Sequence, residues 1–325
     1  MTRAASPKRL SGVAAVRAQR LTVALVGLGT MGTRHARVLS ALPERFEIAR
    51  VYDVDRAVPV PAGTLRCRTE AEALSCEGAP VDLAIVATPI LTHAPIVSRA
   101  LTAGVHVLVE KPLCTSSAEA KGLLEAQRRG ARVFVGHSER FNPVVRALAK
   151  LLRGERVLAI DMKRVGPSRP TECGVLLNLG VHDFDIAAYL GGGPLVLRGA
   201  VGGADLAQVV FETAEGAAGH VYVDRTAPER RRSIVVTTSR WIYEGDLLAH
   251  RLVRVARGGH ATGQRSDVPL PLEEPLLAQA RAVADALDGV GSRELATGED
   301  GAAAVAMAEE AEAALAEDLS LLARA

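Results

Sequence analysis

The sequence predicts an α/β protein in which a doubly wound parallel sheet precedes a second α/β domain built on an open, mainly antiparallel sheet. Two observations carry this prediction. In the first part of the chain, short apolar runs alternate with amphipathic runs, as strands alternate with crossover helices. In the later part, strand-like runs follow one another with turn signals and without intervening helical patterns. The 325 residues are enough for two hydrophobic cores.

The first domain, a Rossmann-type domain, is predicted over residues 21–137. Its strands are continuous runs of Val, Ile and Leu, which is the composition of parallel strands buried on both faces. Helical patterns separate these runs, so helices are expected to cover both sides of the sheet. The strand-like runs are LTVALVG, FEIARVYDVD, VDLAIVAT, HVLVE and RVFVG.

The second domain is predicted over residues 138–325. It begins with helix-like NPVVRALAKLLRG, strand-like VLAIDMKRV and a helical stretch around residues 178–185. Two helical segments near the C-terminus, the second from about Glu299, are expected to return to the first domain. The strand-like stretches before them are LRGAVGG, LAQVVFETAEG, AAGHVYVDRT, RRSIVVTTSRWIYEGD and HRLVRVAR.

The charge of the chain argues against nucleic acid and membrane partners. The formal net charge is +2, and the basic residues of the first 20 positions account for the excess, so the remainder is mildly acidic. Residues 1–20 lack an apolar run as long as a signal-peptide core and are interpreted as a flexible arm. No later stretch reaches the roughly 18 uninterrupted apolar residues of a membrane span.

The four cysteines argue against structural zinc and against a disulfide framework. They are scattered without a CxxC pair or a neighbouring histidine pair, so no metal site is predicted. A reducing cytoplasm is the expected location. The cysteines are Cys67, Cys76, Cys114 and Cys173.

A glycine-rich turn, GLGTMG, follows the first predicted strand and opens a helix. Gly27 allows a tight turn, Gly29 lets the backbone approach a pyrophosphate, and Gly32 allows close helix packing. Asp53 ends the second predicted strand, where a carboxylate can bind both ribose hydroxyls of an adenosine and disfavours a 2'-phosphate. The pattern therefore favours NAD over NADP. The alternative is a glycine-rich turn that binds no ligand.

A lysine in the sequence Glu110-Lys111-Pro112 follows the strand-like run HVLVE. Ligands of open α/β sheets gather at the carboxyl ends of the strands, so Lys111 is expected where nicotinamide and substrate meet. Its ammonium can donate to a substrate hydroxyl and stabilise an oxyanion. The alternative is a lysine that is only solvated in a loop.

The stretch NLGVHDFD contains the candidate acid/base. Asn178 and His182 are four residues apart, so in a helix both side chains lie on one face, one turn apart. A neutral imidazole near pH 7 can take a hydroxyl proton. The alternative is a histidine that is packed in the core.

These motifs together resemble the Gfo/Idh/MocA family, named for glucose-fructose oxidoreductase, inositol dehydrogenase and a rhizopine catabolism protein. The resemblance covers residues 20 to about 320 and includes GLGTMG, EKP, GHSERFNP and GVLLNLGVHDFD in the family's order. It implies an NAD-dependent enzyme that oxidises or reduces a secondary alcohol or carbonyl of a sugar, cyclitol or sugar nucleotide. The cofactor contacts implied by these motifs are Gly27, Gly29, Thr30, Met31, Gly32, Asp53, Thr88, Pro89, His93, Glu110 and Lys111.

The resemblance also implies the roles of three catalytic candidates. Lys111 corresponds to the family's active-site lysine and His182 to its general acid/base. Many members have Asp at the position of Asn178, and asparagine brings no negative charge to stabilise an imidazolium. This departure indicates a slower enzyme, a different substrate or a loss of activity, although Asp185, one turn after His182, is a candidate for partial compensation.

The expected substrate follows from the branch of the family. Asn178, the GHSERFNP stretch and the segment at residues 228–246 resemble the UDP-N-acetylglucosamine 3-dehydrogenase branch more than the inositol branch. Those enzymes oxidise the sugar 3-hydroxyl to a ketone. The implied substrate contacts beside Lys111, Asn178 and His182 are Arg140 and Asn142 near the sugar, and Arg164 or Arg169 near the diphosphate.

Other interpretations remain at this point. One is a sensor without catalysis that binds a dinucleotide or a sugar, and another is a dehydrogenase or reductase of a cyclitol, diol or ring imine. The basic run at residues 230–232 lacks interleaved aromatic residues and is interpreted as a solvated or subunit-contact face. The resemblance implies a homodimer or homotetramer.

Overall fold

The structure is a computed structural model that describes residues 20–75, 80–127, 130–167 and 172–322. The predicted arm, except Arg20, lies outside the described residues. So do Cys76 and Arg169.

The first sheet has six parallel strands in the order β3-β2-β1-β4-β5-β6, and it confirms the predicted doubly wound fold. The strand order reverses between β1 and β4, and ligands of such sheets bind outside the carboxyl ends of the strands at this point. The strands are β1 (Leu21–Val26), β2 (Phe46–Tyr52), β3 (Leu65–Arg66), β4 (Leu83–Val86), β5 (His106–Val109) and β6 (Val133–Val135).

Helices cover both faces of the first sheet. Successive residues of β1 enter different cores, with Val23 and Leu25 in one and Ala24 and Val26 in the other. This double burial explains the continuous apolar runs of the sequence. The helices of this part are α1 (Thr30–Ser40), α2 (Glu70–Leu74), α3 (His93–Thr102) and α4 (Ser117–Gln127).

The second sheet has eight strands in the order β14-β13-β12-β11-β7-β10-β9-β8, and all its neighbouring pairs are antiparallel except β7 and β10. The predicted open, mainly antiparallel sheet is therefore confirmed. The strands are β7 (Val157–Val165), β8 (Val196–Gly202), β9 (Leu206–Glu212), β10 (Ala218–Asp224), β11 (Arg231–Thr238), β12 (Trp241–Asp246), β13 (Arg251–Ala256) and β14 (Arg265–Asp267).

The second part of the chain adds helices, most of which pack against the second sheet, whereas the helix at Pro275–Leu287 packs on α1 of the first part. In β7, Ile160 and Met162 are buried, whereas Asp161 and Lys163 are exposed, which is the alternation of a half-buried strand. A π-helical turn at Leu176–Gly180 leads directly into α6. The helices are α5 (Pro143–Leu151), α6 (Val181–Leu190), α7 (Pro275–Leu287) and α8 (Gly298–Leu322).

The two C-terminal helices contact the first sheet's layer. Arg45, at the entry to β2, donates to Asp288 at the end of α7 with an Nη2–Oδ2 distance of 2.7 Å. The backbone N–H of Ser117, at the start of α4, donates to Glu309 of α8 at 3.0 Å. These contacts hold the two sheets in one arrangement. Among the described residues, no helix combines the length and the apolarity that crossing a membrane requires.

The glycines of the first βα turn have different structural demands. Gly27 has a φ of +92°, which is a conformation that only glycine adopts without strain. A Cβ added to Gly32 overlaps the carbonyl oxygen of Gly27, whereas a Cβ added to Gly29 meets no atom within 4 Å. Gly32 is thus required by packing, and the backbone at Gly29 faces open space.

We expect Gly32→Ala to lower the free energy of unfolding by roughly 1–3 kcal/mol, because the clash outweighs the better helix propensity of alanine. Urea unfolding of the purified variant measures this change. Gly29→Ala is the matched control and should unfold like the wild type. Equal stabilities of the Gly32→Ala variant and the control would contradict the packing role of Gly32.

Candidate active site

A cavity of about 570 Å³ lies at the carboxyl ends of the first sheet's strands. The loops after β1, β2, β4 and β5 all line it, as expected at the topological switch point. Eight of the predicted cofactor residues line this cavity: Gly27, Gly29, Met31, Asp53, Thr88, Pro89, Glu110 and Lys111.

The carboxylate of Asp53 stands at the cavity beside the glycine turn. Its Oδ2 accepts from the backbone N–H of Leu28 at 2.5 Å, and its Oδ1 accepts from the backbone N–H of Asp55 at 2.8 Å. Each carboxylate oxygen has two lone pairs, so both can still accept from ribose hydroxyls. The backbone N–H groups orient the carboxylate where an adenosine ribose would bind.

Three other predicted cofactor residues do not line this cavity. Thr30 and Gly32 are in the first turn of α1, and Gly32 packs on Gly27. His93 is buried, with Nδ1 2.8 Å from the carbonyl oxygen of Pro112 and Nε2 2.9 Å from that of Thr88. Burial lowers the pKa of His93. Both ring nitrogens face the protein and tie the two loops together, and a contact between His93 and the cofactor stays a prediction.

Lys111 connects this cavity to the second sheet's helices. It directly follows Glu110 after β5, and its Nζ donates to the backbone carbonyl oxygen of Asn178 at 2.8 Å. Burial, opposed by Glu110 and assisted by the nearby charge of Arg164, lowers the pKa of Lys111 to about 8. An ammonium with this pKa is a strong hydrogen-bond donor that can also release a proton near neutral pH.

Glu110 pairs with a residue that sequence reasoning missed. The Oε1 atom of Glu110 lies 2.7 Å from Nε2 of His35, and both side chains are buried. His35 lies on the inner face of α1, so the pair joins the glycine-turn helix to the strand that carries Lys111. The sequence did contain a signal for this pair, because His35 is a histidine on the apolar face of the helix predicted after the glycine turn.

The stretch that carries Asn178 and His182 is helical, as predicted, but its winding changes between them. Asn178 lies in the π-helical turn, and His182 lies in the first turn of α6. A π turn closes i to i+5 hydrogen bonds and is frequent at functional sites. The atom of Asn178 that reaches Lys111 is its backbone oxygen. A shared ligand for the two side chains stays a prediction.

Burial and positively charged neighbours keep the imidazole of His182 neutral. Burial lowers the pKa of His182 well below its usual range, and the charges of Lys111 and Arg164 lower it further. Its Nδ1 is buried and has no hydrogen-bond partner in the described parts of the chain. The ring of His137 lies edge-on to it, with centroids 6.4 Å apart and planes at 82°. Sequence reasoning missed His137, although its place directly after β6 was a signal.

Arg140 and Asn142, which were predicted near the sugar, are committed to protein partners. Arg140 is 3% exposed, and its Nε and Nη2 donate to the two oxygens of Asp185 at 2.9 and 2.7 Å. Asn142 is buried; its Oδ1 accepts from the N–H of Val144 as the cap of α5, and its Nδ2 donates to the carbonyl of Leu247. These polar groups are paired within the protein, and the contacts of both residues with a sugar stay predictions.

Of the two arginines predicted near a diphosphate, Arg164 lies within the described residues, and its contact with a substrate stays a prediction. Arg164 is buried in β7 and pairs with Asp183, with Nη2 2.8 Å from Oδ1. Arg232, from the basic run that was interpreted as a surface, lies beside Arg164 across β7 and β11 and pairs with Glu139 at 2.6 Å. Its side chain is 35% exposed. Arg232 is therefore the more accessible of the two guanidinium groups.

The amino-terminal part of the chain matches a known family. Residues 21–137 match the model of a family described as "Oxidoreductase family, NAD-binding Rossmann fold". This segment is the part that contains the glycine turn, Asp53 and Lys111.

Two curated relatives share part of the sequence. UDP-N-acetylglucosamine 3-dehydrogenase of Acidithiobacillus ferrooxidans is 33% identical over 185 residues, which are 55% of this chain and 56% of that protein. Inositol 2-dehydrogenase 2 of Saccharopolyspora erythraea is 31% identical over 187 residues, which are 54% and 55% of the two chains. The chain thus spans about half the length of these relatives.

Solved structures resemble nearly the whole described fold. The Acidithiobacillus ferrooxidans dehydrogenase has a TM-score of 0.81 at 24% identity, and the match covers 91% of this chain and 98% of that one. A protein of gentamicin A biosynthesis, solved in complex with NAD, has a TM-score of 0.76 at 27% identity. The match covers 95% of this chain and 97% of that one. The two-sheet architecture is therefore a known fold.

We expect Lys111→Met to be more stable than the wild type at pH 7, by roughly 1–3 kcal/mol, because a buried ammonium is removed. The unfolded chain keeps the Lys111 proton up to pH 10.5, whereas the folded chain loses it at about 8. Between these values the unfolded state binds more protons, so the wild type gains stability as the pH rises and the difference shrinks. Urea unfolding at pH 7 and pH 10 measures the difference in stability between the wild type and Lys111→Met, with the exposed Lys163→Met as the control. If the difference in stability between the two proteins is the same at pH 7 and pH 10, the lowered pKa of a buried Lys111 ammonium is contradicted.

Proposed function

We propose that this chain, which belongs through residues 21–137 to the Gfo/Idh/MocA family of oxidoreductases, is an NAD-dependent dehydrogenase acting on a secondary alcohol of a sugar or sugar nucleotide. One observation carries the proposal. Lys111 lines the cavity of the glycine turn and donates to the carbonyl oxygen of Asn178, four residues before the neutral His182. A proton donor and a proton acceptor thus lie at the nicotinamide end of a dinucleotide cavity.

The cavity has the features that a dinucleotide requires. The open face at Gly29 leaves room for a pyrophosphate at the start of α1, whose N–H groups attract negative charge. Asp53 offers a carboxylate to the ribose hydroxyls and repels the 2'-phosphate of NADP. These residues fit NAD.

The chain's own groups divide the chemistry between them. When bound, NAD supplies the acceptor for the hydride that leaves the alcohol carbon. His182 takes the hydroxyl proton, because its imidazole is neutral at pH 7. Lys111 donates a hydrogen bond to the same oxygen and stabilises the negative charge that develops there. In the reverse direction, His182 returns the proton to the ketone oxygen while Lys111 donates its hydrogen bond to the same atom.

The best-supported substrate is UDP-N-acetylglucosamine, oxidised at the 3-position. The support is the likeness to UDP-N-acetylglucosamine 3-dehydrogenase, and the partly exposed Arg232 offers a guanidinium to a diphosphate. A cyclitol is the second candidate, since inositol 2-dehydrogenases match at similar identity. Both readings use Lys111 and His182 in the same roles.

The test is to incubate the purified protein with NAD and UDP-N-acetylglucosamine and to follow the absorbance of reduced nicotinamide. Inositol and free sugars are run in parallel. Reduction by the nucleotide sugar alone supports the first substrate, and reduction by inositol alone supports the second. Tight NAD binding without reduction by any of them contradicts catalysis on these substrates and favours a sensor.

Self-association stays a prediction. One side of the second sheet is open, and partly exposed residues of β7, β9, β10 and β11 line a shallow depression of about 430 Å³ there. A second copy of the chain is the partner that the family resemblance implies for this face.

We expect Lys111→Ala to lower kcat at least about 100-fold, because a donor to the developing oxyanion is lost. NAD affinity should change little, since the glycine turn and Asp53 are untouched. Steady-state kinetics and NAD titration measure the two effects. Lys163→Ala, on the open face of β7, is the control, and normal turnover of the Lys111 variant would overthrow the assigned site.

We expect Asp53→Ala to weaken NAD binding roughly 10- to 100-fold, because charge-assisted hydrogen bonds to the ribose are lost. Discrimination against NADP should relax at the same time, as the repulsion of a 2'-phosphate disappears. Titration with both dinucleotides measures this, with exposed Asp55→Ala as the control. Unchanged NAD affinity means that the ribose is bound elsewhere.

A further inference from the structure

His137 is a buried imidazole with unpaired ring nitrogens among the residues that the structure describes. Its side chain is 1% exposed, and within the described ranges neither Nδ1 nor Nε2 has a hydrogen-bond partner. A neutral imidazole has one donor and one acceptor, and buried polar atoms without partners are rare in folded proteins. Such an atom in an active site is a candidate for a role in the chemistry.

The position of His137 connects it to His182. It follows β6 at the carboxyl edge of the first sheet, and its ring lies edge-on to that of His182 at a centroid distance of 6.4 Å. The Nδ1 atom of His182 is likewise buried and unpaired within the residues that the structure describes. This spacing is too wide for a direct hydrogen bond between the rings and is suited to one bridging water.

The charges around the two rings differ in sign. The groups that act on His182 are positive: Lys111, Arg164 and Arg232 all oppose a second proton on it. His137 has a carboxylate nearby, since Asp185 Oδ2 lies 3.8 Å from its Nδ1. The carboxylate of Asp300 also favours a proton on His137, whereas Arg140 and Lys111 oppose it. Burial lowers the pKa of both rings, and the carboxylates near His137 offset part of that loss, so the surrounding charges favour a proton on His137 over a proton on His182.

We propose that His137 is the positioning and relay partner of His182, receiving through one bridging water the proton that His182 takes from the substrate hydroxyl. This inference rests on the proposed function. The substrate O–H bond breaks as an N–H bond forms on Nε2 of His182. The Nδ1–H bond of His182 then breaks, the water takes that proton and gives one of its own to His137.

The relay places the stabilising negative charge beside His137. Asn178, four residues before His182, is uncharged. The carboxylate of Asp185 is paired with Arg140 and lies 3.8 Å from Nδ1 of His137. A proton on His137 thus lies beside a carboxylate, which stabilises it.

The first test needs no substrate. Nitrogen-15 NMR of the histidine-labelled, ligand-free protein follows each imidazole as the pH falls, with His137→Gln and His182→Gln used to assign the two signals. We expect His137 to gain its proton at a higher pH than His182. His182 gaining its proton first, or both at the same pH, overturns the relay. If one variant misfolds, the other still assigns one of the two signals, and the remaining signal of the pair is then assigned to the second histidine. The order in which the two histidines gain protons in the wild type can therefore still be measured.

The second test is kinetic and uses UDP-N-acetylglucosamine and NAD. Glutamine at position 137 can make hydrogen bonds but cannot carry a proton, so His137→Gln should lower kcat by about 10- to 100-fold with KM unchanged. His220→Gln, on the open sheet face, is the control. An unchanged kcat and pH profile in His137→Gln overturns the relay. Lack of NAD reduction by the wild type counts against the proposed function alone, and the NMR order still decides the relay.

Discussion

The site depends on one hydrogen bond between two parts of the chain. Lys111 Nζ, at the end of a strand of the first sheet, donates to the backbone oxygen of Asn178 beside the second sheet. The π turn that presents this oxygen is followed at once by His182. Because the donor is a buried ammonium, the bond also offsets part of its desolvation, and movement of either element exposes an unpaired polar group.

Two buried ion pairs hold the helix that carries His182. Asp183 pairs with Arg164 of β7, and Asp185 pairs with Arg140 next to β6. Both carboxylates follow His182 in sequence, and their arginine partners lie in β7 of the second sheet and in the turn after β6 of the first sheet. Removing one partner of such a pair leaves an uncompensated buried charge, so the geometry of α6 is strongly specified.

The same pairing explains why sequence reasoning assigned some residues to substrate. The local sequence around an arginine does not show whether its guanidinium binds a diphosphate or a buried carboxylate. Arg140 and Arg164 have internal partners 45 and 19 residues away, which local patterns do not reveal. His35 and His137 were missed for the same reason, since their importance comes from Glu110 and His182, which are distant in the chain.

The sequence by itself determined the two kinds of sheet, the glycine turn, and the positions of Asp53 and Lys111 at strand ends. These follow from local rules, because hydrophobic periodicity sets the elements and missing side chains set the turn. Only the tertiary structure decided which polar groups face the cavity and which neutralise one another. The physical reason is that a buried charge must find a partner, and that partner is chosen by the packing of distant elements rather than by neighbours in sequence.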